Sequence, residues 1–218
     1  MRYENMMWRS RRYYSLVRIG FGIFFIALFL GCGSDLKKEE AVNTIGTMQP
    51  INFLNKEIYL PSNYQKVNLK EIGEMLRQNP NLDPIDRIYY KRAVQFQNSA
   101  AAPELFSEKN NKLNSIWFMP GEYIPLSKDM VSQFVNMLEQ NFIPDSAVSG
   151  IEYERLESKF LTFKSTKAIK VKYEQTAGTK KRYITQYIVT YKFDTFSIIV
   201  TNDKNEDHQR ILKNFSAL

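Results

Sequence analysis

The sequence predicts an α+β domain: an antiparallel β-sheet, finishing in a C-terminal meander, with helices packed on it and a helix at the C-terminus. Three observations lead there. Residues 153–163, 168–175, 182–192 and 196–201 are β-rich runs separated by turns so short that neighbouring strands must run antiparallel. Ahead of them, apolar residues recur at helical spacing in three stretches between Leu69 and Phe142. After them, Ile211, Leu212, Phe215 and Leu218 fall on one face of a terminal helix.

The elements follow in order. Residues 51–54 and 57–60 read as an N-terminal hairpin, with Pro61-Ser62-Asn63 turning the chain into a further strand over 64–67. Leu69, Ile72, Met75 and Leu76 give a short helix that Asn79-Pro80 should end. Pro84 suits a first helical turn after Asp83, and Ile85, Ile88, Tyr89, Ala93 and Phe96 extend that helix over 84–101. Residues 103–114 are polar and read as a loop. Ser115 to Met119 is a strand that Pro120-Gly121 should turn. Ser127 is the expected N-cap of a helix whose face runs Met130, Phe134, Met137, Leu138 and Phe142, up to Pro144. In the meander, Ile169, Val171 and Tyr173 alternate with Lys170, Lys172 and Glu174, the pattern of a sheet with one wet face. The next run has apolar residues on both faces, with Phe193 among them, and should be central. Asp203 and Glu206 stand at capping-box spacing before the terminal helix.

The chain begins differently. Residues 19–30 are an uncharged apolar run, preceded by an arginine-rich stretch and followed by Gly31, Cys32 and the polar Ser34 and Asp35. That is the order of an export signal. A permanent span wants ~20 apolar residues to cross ~30 Å of hydrocarbon, so the run is short for one. An uncleaved signal anchor with an incidental cysteine is the competing reading. The arginines hold the N-terminus in the cytoplasm and send the residues after Cys32 across the membrane. The division expected is therefore a signal peptide over 1–31, a flexible tether over 32–50, and one globular α+β domain over 51–218.

Phe29-Leu30-Gly31-Cys32 resembles the lipobox of bacterial lipoproteins, although Phe29 and Leu30 depart from the residues most common there. The resemblance implies that the Cys32 thiol receives a diacylglyceryl group, that the leader is then cut, and that the freed amine is acylated, commonly as palmitate. Two or three acyl chains on one residue make release from a membrane very slow. The polar tether with Glu39 and Glu40 is similar to that of Bacteroidetes lipoproteins, which implies the outer membrane rather than the inner. Ser10-Arg11-Arg12 resembles a twin-arginine signal, but the following Tyr-Tyr-Ser-Leu departs from it. In its order of elements the exported part resembles the PsbP-like fold: a hairpin with a Leu60-Pro61-Ser62-Asn63 turn, a long meander and a final helix. That resemblance implies a non-catalytic assembly or interaction domain, with an envelope protein as partner.

The 218 residues carry a formal charge of +7. Five arginines against one glutamate put +4 of it on residues 1–31, which leaves +3, interspersed, on the remainder. A nucleic-acid partner loses its electrostatic support. Cys32 is the only cysteine and His208 the only histidine. Intrachain disulfides, Cys/His nucleophiles and zinc sites are therefore not expected, no cofactor is expected, and His208 reads as an exposed helix residue. Glu152, Glu154 and Glu157 are the densest acidic group, and the rival reading, a hydrolase of an envelope polymer, would draw on such surface carboxylates. Within a lysine-rich set that also contains Lys159, Lys164, Lys167 and Lys180, the residues Lys170, Lys172, Lys181 and Arg182 could gather on one sheet face and meet an acidic partner. An exposed aromatic cluster for stacking would have to form around Trp117, Tyr123 and Tyr153.

Overall fold

The computed structural model describes residues 46–79, 81–97 and 103–215, which belong to one compact unit spanning 42–218. Cys32 and the leader lie outside the described residues. The fold is α+β. Strands β1 (Gly46–Ile51) and β2 (Lys56–Pro61) form a separate two-stranded hairpin. Strands β3 (Tyr64–Val67), β4 (Glu104–Glu108), β5 (Ser115–Gly121), β6 (Glu152–Phe163), β7 (Thr166–Ala177), β8 (Lys180–Tyr191) and β9 (Asp194–Asn202) form one antiparallel sheet in the order β3-β4-β5-β9-β8-β7-β6. Helices α1 (Leu69–Arg77), α2 (Pro84–Gln97) and α3 (Met130–Ser149) complete the elements, with a terminal 3₁₀ turn over Gln209–Phe215.

Alternation along the strands decides what covers each face of the sheet. Phe106, Ile116, Phe118, Ala168, Tyr187, Val189, Phe196, Ile198 and Val200 point to one side. There they meet Ile51, Ile58 and Leu60 of the hairpin and Ile211, Leu212 and Phe215 of the 3₁₀ turn. Leu105, Trp117, Ile169, Val171 and Tyr173 point to the other side. Ile72 and Leu76 of α1, Tyr89 and Ala93 of α2, and Phe134, Leu138 and Phe142 of α3 cover them. The sheet is thus the middle of three layers, and each fully buried Phe or Ile in it contributes about 1.5–3 kcal/mol. Local chemistry sets the helix starts. Asn68 caps α1 by accepting from Lys70 N–H, and Asp83 caps α2 by accepting from Asp86 N–H at 2.9 Å. Among the described residues no helix is long and apolar enough to cross a membrane.

Several expectations are corrected. The hairpin starts at Gly46 and turns through a 3₁₀ segment, Asn52–Leu54, where a strand was expected. Residues expected as a loop contain β4, whose Leu105 and Phe106 are buried; the polar neighbours Glu104 and Ser107, also buried, hide the strand from composition. Pro120 and Gly121 do not turn but pair with Phe196 and Thr195 at the end of β5. Helix α3 continues through position 144 to Ser149. The supposed wet face of β7 is covered and Phe193 stands in the β8–β9 turn rather than in the core, while the expected C-terminal helix is present over Gln209–Phe215, wound as a 3₁₀ helix. Asp203 and Glu206 form no capping box; Asn202 Oδ1 instead accepts from the N–H groups of Lys204 and Glu206. Leu218 and residues 98–101 lie outside the described residues.

Candidate interaction surfaces

The four basic residues expected to share a face do not do so. Lys170, Lys172 and Lys181 lie on the hairpin side of the sheet, whereas Arg182 points to the helix side, because adjacent residues of a strand point oppositely. Lys170 and Lys172 are buried. The Lys170 ammonium sits between Glu157 and Asp207, 2.6 Å from an oxygen of the latter. Lys172 donates to the Asn205 carbonyl at 2.9 Å and lies 5.9 Å from the centre of the Tyr183 ring. Lys181 is exposed and pairs with Glu174 at 2.5 Å. The loop between β9 and the 3₁₀ turn therefore covers the lysines that the alternating pattern had placed in water.

Burial alone would push the Asp207 and Glu157 carboxyls up, but hydrogen bonds and charge from Lys170, joined at Glu157 by Lys159, hold both below the ordinary carboxylate range. Burial likewise pulls Lys170 down, and its two carboxylates more than reverse this. Lys172, without a hydrogen-bonded carboxylate, stays lowered by burial. Of the glutamates considered as catalytic pairs, Glu152 and Glu154 are exposed on the edge strand β6, and Glu157 is committed to Lys159 and Lys170.

On the helix side, a small cleft of about 10 Å³ opens beside α2, lined by Ile85, Asp86, Tyr89, Gln175, Arg182 and Thr201 among others. Arg182 donates to Asn114 at 3.3 Å, while its Nε stands 3.8 Å from Asp86 Oδ1, too far for a hydrogen bond. Burial and the neighbouring Asp83 charge raise the Asp86 carboxyl against the pull of Lys180 and Arg182. Burial pushes the Tyr89 phenol up to about 12. His208 is not the exposed helix residue expected: it is largely buried, its ring meets Tyr64 edge-on, and its Nε2 lies 3.2 Å from the Tyr64 hydroxyl.

Trp117 is buried and Tyr153 stacks on Phe142, so an aromatic cluster of Trp117, Tyr123 and Tyr153 does not assemble; only Tyr123 of the three is exposed. Exposed apolar side chains gather elsewhere. On the outer face of the hairpin, Met48 and Tyr59 are cross-strand partners, 42% and 59% exposed. At one end of the sheet, Tyr123, Ile124 and Phe193 are exposed, Phe193 by 85%. Neither group was legible in the sequence, because both consist of residues whose type fits a core equally well.

The chain is similar to the solution structure of cyanobacterial PsbP (CyanoP) from Synechocystis sp. PCC 6803, with a TM-score of 0.46 and 11% identity, over 82% of this chain and 91% of that one. No residue's role passes across at that level. No protein-family model matches the chain, and no curated protein matches it.

Proposed function

We propose that this chain is a lipoprotein of a bacterial envelope, tethered through an acylated Cys32, whose α+β domain is a non-catalytic interaction module for an envelope protein. The outer membrane is the membrane proposed. The observation that supports the module most is the Met48–Tyr59 pair: two large apolar side chains facing each other across a hairpin and left open to solvent. Methionine and tyrosine are enriched where protein surfaces meet, because each offers a large contact area. Their backbone is fixed by β1–β2 pairing and by Asn214, so little ordering entropy opposes binding there.

Two measurements test the parts separately. Intact-mass analysis of the native protein should show a chain beginning at a diacylglyceryl-bearing Cys32; an intact Met1 or an unmodified sulfur overturns the tether. Affinity purification from native membranes should recover a partner that Tyr59→Ser loses. Retention of that partner by the variant, or turnover of an envelope polymer by the isolated lipoprotein, overturns the module.

A further inference from the structure

We infer that the end of the sheet bearing Phe193 docks on the surface of an anionic lipid bilayer, with Phe193, Tyr123 and Ile124 in the headgroup layer and a collar of lysines against the lipid charges. Four connections meet at this end. The β6–β7 turn holds exposed Lys164, and Lys167 just past it pairs with Thr190 of β8. That pairing sets the β8–β9 turn, with exposed Lys192 and Phe193, directly beside it. The segment leaving β5 runs alongside, since Gly121 pairs with Thr195, Ile124 N–H donates to Thr195 Oγ1 at 2.9 Å and Thr190 Oγ1 donates to the Ile124 carbonyl at 2.8 Å. The hairpin turn completes the end: Phe53 meets Phe196 edge-on, and Lys56 Nζ lies 5.2 Å from the centre of the Tyr191 ring.

Charge selects the occupant. Lys56, Lys164, Lys167 and Lys192 outnumber Glu57, Glu122 and Asp194 at this end, and Lys192 sits 5.2 Å from the same Tyr191 ring. Aromatic rings with lysines behind them suit the interface of a bilayer, where a ring is half in apolar surroundings and an ammonium reaches headgroups. An apolar protein pocket could take Phe193, but would leave the surrounding ammonium groups desolvated. Lys164 and Lys192 both hold positive φ, 51° and 56°, in turns that present their next residues outward.

Chain length permits the contact. This inference rests on the lipid tether proposed above. Thirteen residues separate Cys32 from Gly46, and they reach at most ~45 Å at about 3.3–3.6 Å each. Strand β1 begins at Gly46, the end of the hairpin away from its turn, and six residues of strand cover roughly 20 Å. The tether can therefore start in the bilayer, pass the domain and still let the lysine-bearing end rest on the same surface.

The test uses the complete mature protein carrying Phe193→Trp, reconstituted into vesicles whose acyl chains are brominated. In phosphatidylglycerol vesicles the introduced indole should lose about half or more of its emission, as expected for a ring in the interfacial layer. Native-sequence protein supplies the background from buried Trp117. The loss should disappear in phosphatidylcholine vesicles, and also on phosphatidylglycerol when Lys164→Glu and Lys192→Glu are added. Intact mass and resistance to a salt wash report the tether in the same samples. Protein held on vesicles with the introduced indole unquenched overturns the docking while leaving the tether standing; an unacylated Cys32 with quenching intact does the reverse. Equal quenching on neutral lipid, or an emission shift of that indole that needs envelope protein, also overturns the docking.

Discussion

Asn214 pairs with the main chain of Tyr59 as a neighbouring strand would. Tyr59 N–H donates to Asn214 Oδ1 at 2.9 Å, and Asn214 Nδ2 donates to the Tyr59 carbonyl at 3.2 Å. One side-chain amide thus satisfies both backbone groups on the open edge of β2 and locks the hairpin to the terminal 3₁₀ turn. The Tyr59 ring is presented outward by a backbone it does not itself hold.

Stability and binding should therefore separate at these two positions. Asn214→Ala removes three hydrogen bonds, two to Tyr59 and one to the Ile211 carbonyl, and should lower stability by about 1–3 kcal/mol. Tyr59→Ser removes an exposed ring and should change it by less than about 0.5 kcal/mol. Urea midpoints check both, and only the tyrosine variant should lose a partner while remaining as stable as the native protein.

The Glu157–Lys170–Asp207 cluster sets an acid limit. Both carboxyls titrate below their ordinary range in the folded protein, so the unfolded chain takes up protons first as pH falls. Their contribution is whole above about pH 5 and drains away as pH drops through the unfolded and then the folded values. Lys170, raised in the folded state, contributes below its ordinary value and loses that contribution only when pH rises through the raised one. Asp207→Asn should cost about 1–3 kcal/mol at neutral pH, because Glu157 still faces the ammonium. The gap between variant and native protein should narrow below about pH 5, as measured by thermal midpoints across pH.

His208 acts in a higher window. Burial lowers its imidazole below the usual value although Glu206, Asp207 and Glu108 pull the other way. A base lowered on folding favours the native state above its unfolded value and weakens it as pH falls through that value toward the folded one. Since it is the only histidine, its ring protons can be followed by NMR without assignment. The titration midpoint should lie below about 6.5, and His208→Gln should remove the stability lost just under that pH.

The meander was legible because its turns are short and its apolar residues alternate over four runs; a register fixed by buried Ile169, Val171, Ile184 and Ile198 leaves little choice. What covers the meander was not legible. Lys170 and Lys172 read as solvent-facing because lysine usually is, and only the return of the segment around Asn205 and Asp207 hides them. Arg182 could have been separated from Lys181 by counting parity along one strand, a signal present in the sequence. Phe193 carried no such signal, since one residue of turn placement moves it from a covered face to the tip of a loop.

Strand β4 escaped notice for a related reason, and Glu104 shows what it does. Buried at the start of that strand, Glu104 accepts the Asn52 N–H through one oxygen and the Lys66 ammonium at 2.5 Å through the other. The first bond joins the hairpin turn to the sheet, and the second stays on the sheet face beneath it. A carboxylate in a polar stretch thus replaces the apolar contact that composition would have looked for. Glu104→Gln keeps an oxygen for Asn52 but gives up the charge, so its effect should be under about 1 kcal/mol because Lys66 is partly in water. Glu104→Ala strands the Asn52 N–H beneath the hairpin and should cost about 1–3 kcal/mol. Hydrogen exchange at Asn52 separates the two: the amide should stay protected in the glutamine variant and exchange faster in the alanine variant, whereas equal protection in both would mean that Glu104 does not hold the hairpin turn.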